Sequence, residues 1–425
     1  MPDQHTEDLR ITLSRRSLLT GAASGFALAA TGLPLAAEEV GLASESITPF
    51  SVRLDPVAIT DLQHRLATIR WPDAGTTSDW SQGVPLAKAK ALADHWRLRY
   101  DMTRLERRLN AFPQFRTNID NLGVHFLHVK SKHANALPII LTHGWPGSVV
   151  EFLDVVEPLV NPTAYGGTSA DAFHVVIPSM PGYGFSDKPI APGWGLARIA
   201  RAWDVLMKRL GYAHYVAQGG DLGAGVASWM SKQQPKGLAA IHLNLPILFP
   251  PPPPSAGGYT PAEQAAVDQL VQYGADLSGY AAIQGTRPQT LGYGLADSPI
   301  GQAMWIYEKF QAWSDNKGDP AEAIATDEML DNIMLYWVTN TAASSARLYK
   351  ESFSKDFVRF ELTDPVAVSI FKGDMFTPPR SWGEKTYARL SYWNEIDRGG
   401  HFAAMEQPQA FVEELRKALV PYRLD

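Results

Sequence analysis

Tyr215-Val216-Ala217-Gln218-Gly219-Gly220-Asp221-Leu222-Gly223-Ala224 is the stretch on which the fold turns. An apolar run leads into it, and a helical pattern with Val226, Trp229 and Met230 leads out. Strand, sharp turn and helix in that order form an elbow that lifts one side chain clear of a sheet. Gly219, Gly223 and Ala224 are small where strand and helix nearly touch. The residue at the apex is Asp221. Taken alone, the same letters also fit a Gly-Gly-Asp turn entering a helix capped by Asp.

A carboxylate at the apex sets the chemistry. An aspartate in water has a pKa of ~3.9, so it is ionised at neutral pH and can attack without a base. Attack on an alkyl carbon leaves an ester whose carbonyl belongs to the protein. Release then needs water activated by a general base, usually His.

Outward from the elbow, strands and helices alternate across residues 131–249. Pro138-Ile139-Ile140-Leu141-Thr142 reads as a buried parallel strand running into His143-Gly144-Trp145-Pro146-Gly147-Ser148. Phe173 to Pro178 is another, followed by Ser179-Met180-Pro181-Gly182-Tyr183-Gly184-Phe185-Ser186. Leu196, Ile199, Trp203, Leu206 and Leu210 mark a helix that Gly211 stops, and Leu238 to Leu245 is a further strand. This alternation predicts an α/β fold with a mostly parallel, doubly wound sheet. Loops at the carboxyl ends of such strands hold the sites. Pro146 has no N–H, so the backbone N–H groups of Trp145 and Leu222 are the candidate oxyanion donors.

The remaining segments attach to this core. Residues 45–130 carry helical patterns from Val57 to Leu66 and from Ala87 to Leu109, the latter broken near Asp101. A β-hairpin follows from Phe115 to His128. Its His125 and His128 point to opposite faces of a strand and make no metal pair. Residues 250–350 begin with an extended Pro250-to-Pro254 crossing, then Thr260-Pro261-Ala262-Glu263 starts a helix with Thr as N-cap. Helices dominate to Tyr349, with turns expected at Gly292 and at Asn316 to Asp319, as in a lid over an apolar pocket. Residues 351–425 return to the core: a strand from Val366 to Phe371 ends in Lys372-Gly373-Asp374, and one from Ser391 to Ile396 precedes Arg398-Gly399-Gly400-His401. A closing helix runs from Pro408 towards Val420.

Composition excludes several function classes. The 425-residue chain is 45% hydrophobic and 19% charged, so it is globular. A net charge of -6 without a basic run excludes nucleic acid as a partner. With no cysteine there is no thiolate nucleophile and no Cys-bound metal. Residues 1–42 contain Ser14-Arg15-Arg16-Ser17-Leu18-Leu19 ahead of an uncharged Ala-, Gly- and Leu-rich stretch. This resembles a twin-arginine export signal, implying a periplasmic protein with no stable membrane span in its mature form.

The His143-to-Ser148 loop, the Pro178-to-Ser186 loop and the Gly220-Asp221 elbow together resemble the α/β-hydrolase superfamily, and more narrowly epoxide hydrolases of the microsomal type. That type carries an extra N-terminal segment wrapping the core, and residues 45–130, with Ile69-Arg70-Trp71-Pro72, resemble it. The likeness runs from about Ile47 to Leu424. It implies an enzyme that opens a small apolar epoxide with water to a vicinal diol, without cofactor or metal. The order of nucleophile, acid and histidine is then Asp221, Asp374, His401. His401 would take a proton from water while Asp374 fixes its tautomer; Glu384 and Glu406 are rival acids.

An epoxide oxygen leaves as an alkoxide and needs an acidic hydrogen-bond donor. The resemblance places that role on Tyr280, in Ser278-Gly279-Tyr280, and on Tyr349, in Arg347-Leu348-Tyr349-Lys350-Glu351. Trp145 and Leu222 are expected to touch substrate. The family usually has Trp after the nucleophile; Leu222 keeps the backbone N–H and loses the ring. Ser298 to Gly301 and Glu308-Lys309-Phe310 read as scaffold. A haloalkane dehalogenase shares the Asp elbow, but usually has an indole donor where Leu222 stands. A binding protein on the same fold would not need Asp221, Asp374 and His401 together.

Overall fold

Apolar alternation and turn chemistry give, in a computed structural model that describes residues 45–253, 257–353 and 356–424, one nine-stranded sheet. The proposed export signal at residues 1–42 lies outside the described residues. The strands are β1 (Thr48–Phe50), β2 (Gln114–Ile119), β3 (Leu122–Val129), β4 (Leu137–Thr142) and β5 (Phe173–Pro178), then β6 (Tyr215–Gly219), β7 (Leu238–Leu243), β8 (Val366–Phe371) and β9 (Leu390–Ile396). Their spatial order is β1-β2-β3-β5-β4-β6-β7-β8-β9. The pairings β1 with β2, β2 with β3 and β3 with β5 are antiparallel, and every pairing from β5 onward to β9 is parallel.

Chain direction reverses at β4. The chain steps from β4 to β5 on one side, then crosses back over β4 to β6 and onward to β7. Right-handed crossovers then put the helix after β4 on one face and the two following helices on the other. Accordingly Leu196–Arg209 packs against Leu222–Gln233, while Leu153–Val160 packs against the closing helix Pro408–Leu419. Such a reversal places ligands at the carboxyl ends of the strands that flank it, here β4 and β6.

The N-terminal segment completes the sheet and braces the lid. Asp120 and Asn121 take positive φ (53° and 62°) in the two-residue turn joining β2 to β3. The expected helix break falls at residues 99–103, between Leu86–Leu98 and Arg104–Asn110; the Asp101 carboxylate accepts from the Thr103 N–H (2.9 Å) and competes with the helix. Leu62, Leu66, Leu92, Trp96, Leu105 and Leu109 are buried in the common core. His125 bonds Ser179 and Gln114, and His128 bonds the Tyr212 hydroxyl.

Between β7 and β8 comes the helical lid. Its first helix, Pro261–Gln272, opens with a reciprocal capping box between Thr260 and Glu263. A correction falls at Gly292. It lies inside the helix Pro288–Asp297 rather than in a turn, because that helix presses on Ala342–Ser352 so closely that a Cβ at Gly292 would meet Ala343 Cβ at 2.6 Å. Among the described residues no helix is long and apolar enough to cross a membrane.

Candidate active site

The elbow is built by close approach. A Cβ at Gly219 would overlap the Gly223 backbone, and one at Gly223 would overlap the Thr142 carbonyl. With strand and helix this near, Asp221 is held at φ 52° and ψ -126°. Such a conformation costs a non-glycine residue ~1–3 kcal/mol and persists where packing dictates it. Gly144, on the loop after β4, likewise has no room for a side chain because Asp221 fills it.

Two backbone donors meet the Asp221 carboxylate. The Trp145 N–H donates to Oδ1 (2.9 Å), and the Leu222 N–H is directed at the same group. Burial nevertheless raises the Asp221 pKa, opposed by the His401 charge and by those two donors.

His401 faces both acids. Its Nδ1–H donates to Asp374 Oδ1 (3.0 Å), and its Nε2 lies 3.7 Å from Asp221 Oδ2. Burial disfavours the imidazolium, but the charge and hydrogen bond of Asp374, with Asp221, outweigh it and push the pKa up to about 9. Asp374 is steadied by the Met375 N–H (2.7 Å). Neither rival acid reaches the ring. Glu384 pairs with Arg380 at the surface. Glu406 instead holds the histidine loop, accepting from the N–H groups of Asp315, Gly400 and Phe402.

Aromatic side chains wall the space above. The Trp145 indole stacks on Tyr280 (centroids 5.0 Å, planes 11° apart) and meets Tyr349 edge-on at 5.9 Å. Tyr280 and Tyr349 are 5.8 Å apart, both buried and both near enough to feel the Asp221 charge. Burial raises each phenol well above its usual pKa, so both are O–H donors at any physiological pH. The Tyr349 hydroxyl has no hydrogen-bond partner among the described residues, whereas that of Tyr280 meets the Tyr273 hydroxyl at 3.1 Å. Leu222 is buried beneath, at the start of the elbow helix.

All seven residues singled out from sequence thus come together around Asp221. Others went unnoticed. Tyr273 opens a π-helical turn, Tyr273–Leu277, whose irregularity leaves no pattern in the letters. Lys309, read as scaffold, is buried with Nζ 4.5 Å from the Tyr280 ring centre and 5.4 Å from that of Trp313, a cation held over the tyrosine. Glu151 follows the loop that holds Trp145 and lies close enough to interact electrostatically with both Asp221 and His401. His143 is structural: Nδ1–H donates to the Gly144 carbonyl and Nε2 accepts from the Met180 N–H, and burial lowers its pKa to about 4.

Comparison with known proteins adds to this geometry. Residues 47–152 match the family model "Epoxide hydrolase N terminus", and residues 138–281 match "alpha/beta hydrolase fold". The chain is 59% identical over 413 residues to a Stigmatella aurantiaca protein provisionally named an epoxide hydrolase, covering 95% of this chain and 94% of that one. It is 33% identical over 402 residues to epoxide hydrolase 1 of Oryctolagus cuniculus, covering 87% and 88%. The solved structure of Aspergillus niger epoxide hydrolase superposes with a TM-score of 0.80 at 32% identity, over 89% of this chain and 97% of the other.

Proposed function

This chain belongs to the microsomal-type epoxide hydrolases on the α/β-hydrolase fold, and from that premise we propose that it opens apolar epoxides in two covalent steps. In the first, Asp221 attacks an epoxide carbon while Tyr280 and Tyr349 donate hydrogen bonds to the ring oxygen. The C–O bond of the ring breaks, the alkoxide takes the phenolic proton of one of the two tyrosines, and an alkyl ester forms on Asp221. In the second, His401 takes a proton from water, and that oxygen adds to the ester carbonyl carbon. The Trp145 and Leu222 N–H groups stabilise the oxyanion. Collapse breaks the bond between carbonyl carbon and alkyl oxygen, the diol leaves with a proton from His401, and the acid proton left on Asp221 returns to the tyrosinate, restoring both groups.

The observation that best supports this is His401 bridging two carboxylates, with Asp374 on Nδ1 and Asp221 opposite Nε2. Esterification removes the charge of Asp221, and with it part of the field that raises the His401 pKa. The histidine thereby becomes a base just when water must be activated. Replacing His401 by Gln tests this. H401Q should still alkylate and accumulate a mass increase on the peptide bearing Asp221; turnover at the wild-type rate would overturn it. The dehalogenase alternative gains nothing from Leu222, which offers no indole N–H.

We also propose export through the Ser14-Arg15-Arg16 signal. Periplasmic recovery of the full chain, abolished by changing both arginines to Lys, is the result expected; unchanged recovery would refute it.

A further inference from the structure

Glu151 is an acid that the two-step scheme leaves idle. It lies in the 3-10 turn Val149–Phe152, immediately after the loop that carries Trp145. Gly147 in that loop has no room for a Cβ because Glu151 Oε1 occupies the place, just as Gly144 yields its place to Asp221. The loop therefore has the nucleophile against one end, Glu151 against the other, and the Trp145 N–H between them. Tyr336 and Asn332 of the lid pin it there through the Gly147 and Pro146 carbonyls, both at 2.8 Å.

The Glu151 carboxyl is left unsatisfied. Its backbone N–H donates to the Ser148 carbonyl, but among the described residues no group is hydrogen-bonded to the side chain. The side chain packs against the Gly147 backbone, and the residue is half-buried. Burial pushes its pKa up to about 8, so at neutral pH it is mostly a neutral acid with one O–H donor and one carbonyl acceptor. Such a buried group calls for a small polar partner.

Hydrolysis of the ester supplies that need. Water activated by His401 gives one hydrogen to Nε2 and directs one lone pair at the ester carbon. Its second hydrogen and second lone pair must be bonded elsewhere, or the attack angle is unfixed. The 3.7 Å separation of Nε2 from Asp221 Oδ2 exceeds a direct hydrogen bond and leaves Nε2 for water. We propose that Glu151 is a positioning residue for the second step, holding the attacking water between His401 Nε2 and the carbonyl carbon of the Asp221 ester. The inference rests on the two-step reading above. The balance is unchanged: water oxygen goes to the Asp221 carboxylate, its proton passes through His401, and the diol carries away the former Asp221 oxygen.

Rapid mixing of the full-length enzyme with excess epoxide, followed by mass measurement of the Asp221 peptide, separates alkylation from hydrolysis. E151A should alkylate at the wild-type rate and hydrolyse ~10- to 100-fold more slowly, so that ester accumulates and kcat and KM fall together. E151Q, which keeps a donor and an acceptor at the same reach, should recover most of the loss. E151D, should the alanine variant not fold, retains the acid one methylene short and should show the same selective loss. Hydrolysis at the wild-type rate in E151A or E151D would overturn the assignment. So would equal losses in both steps with no recovery in E151Q. H401Q run alongside keeps the two ideas apart: no adduct there refutes the covalent scheme, whereas an adduct there with wild-type hydrolysis in E151A refutes only Glu151.

Discussion

Trp145 and Tyr280 are stacked ring on ring, 5.0 Å between centroids, while the backbone N–H of the same Trp145 holds Asp221 Oδ1 at 2.9 Å. One residue thus ties the carboxylate proposed as nucleophile to the donor proposed for the epoxide oxygen. In the proposed scheme the two face each other across the breaking C–O bond, and a rigid aromatic link fixes that spacing before reaction. The cation of Lys309 lies over the Tyr280 ring and holds it from a further direction.

The tyrosines should act in the first step alone. Y280F and Y349F each remove one donor, and the double variant removes both. Loss of general-acid assistance of this kind costs ~10²- to 10⁴-fold. The double variant should lose that much in the single-turnover alkylation rate, and hydrolysis of preformed ester should be unaffected. Because burial holds both phenols well above their usual pKa, neither should produce an alkaline limb in kcat/KM below pH 10.

Gly144 should not tolerate even alanine. A methyl group there overlaps the Asp221 side chain, so the carboxylate must shift off the line to the epoxide carbon. Misplacement by about an ångström costs ~10²-fold. G144A should lose alkylation by that order with a near-native melting temperature, measured by single-turnover kinetics and thermal scanning.

The core and the elbow that carries Asp221 were legible because each rests on a local rule. Small residues flank Asp221 where backbones touch, apolar runs mark the parallel strands, and Thr260-Pro261-Ala262-Glu263 spells a helix start. Gly292 misled because a glycine needed for helix–helix contact looks like one needed for a turn. Glu151 and Tyr273 were invisible for another reason: what marks them is proximity to groups distant in the chain, and no periodicity records that. Tyr280 and Tyr349 were singled out through family resemblance alone, since no spacing separates them from the other tyrosines.

Asp331 should matter more to stability than its distance from Asp221 suggests. Fully buried in the lid, it accepts from Tyr100 (2.7 Å), Arg104 (3.0 Å) and Arg108 (2.8 Å) of the N-terminal segment. Its neighbour Asn332 donates to the Pro146 carbonyl and accepts from the Ser148 hydroxyl. D331A leaves two partly buried guanidinium groups facing each other and should cost ~3–5 kcal/mol in denaturant unfolding. Activity of the folded fraction should fall less, because Asn332 and Tyr336 still anchor the Trp145 loop to the lid. R104A, which leaves Arg108 and Tyr100 in place, should cost less.

His401 gives stability a defined pH dependence. Its folded pKa, about 9, lies above the ordinary histidine value of ~6.5, so the folded state binds a proton more tightly than the unfolded chain. That contribution is fully present below about pH 6.5 and is lost as pH rises through 9. Asp374 is the largest favourable cause, opposing the burial that lowers the pKa. D374N should therefore reduce stability near neutral pH and flatten the decline between pH 7 and 9, read as melting temperature against pH. The same change should slow ester hydrolysis by ~10²- to 10⁴-fold, because the imidazole loses the partner that fixes its tautomer and supports its charge. A D374N variant with the wild-type pH profile of melting would show that some other group carries the titration.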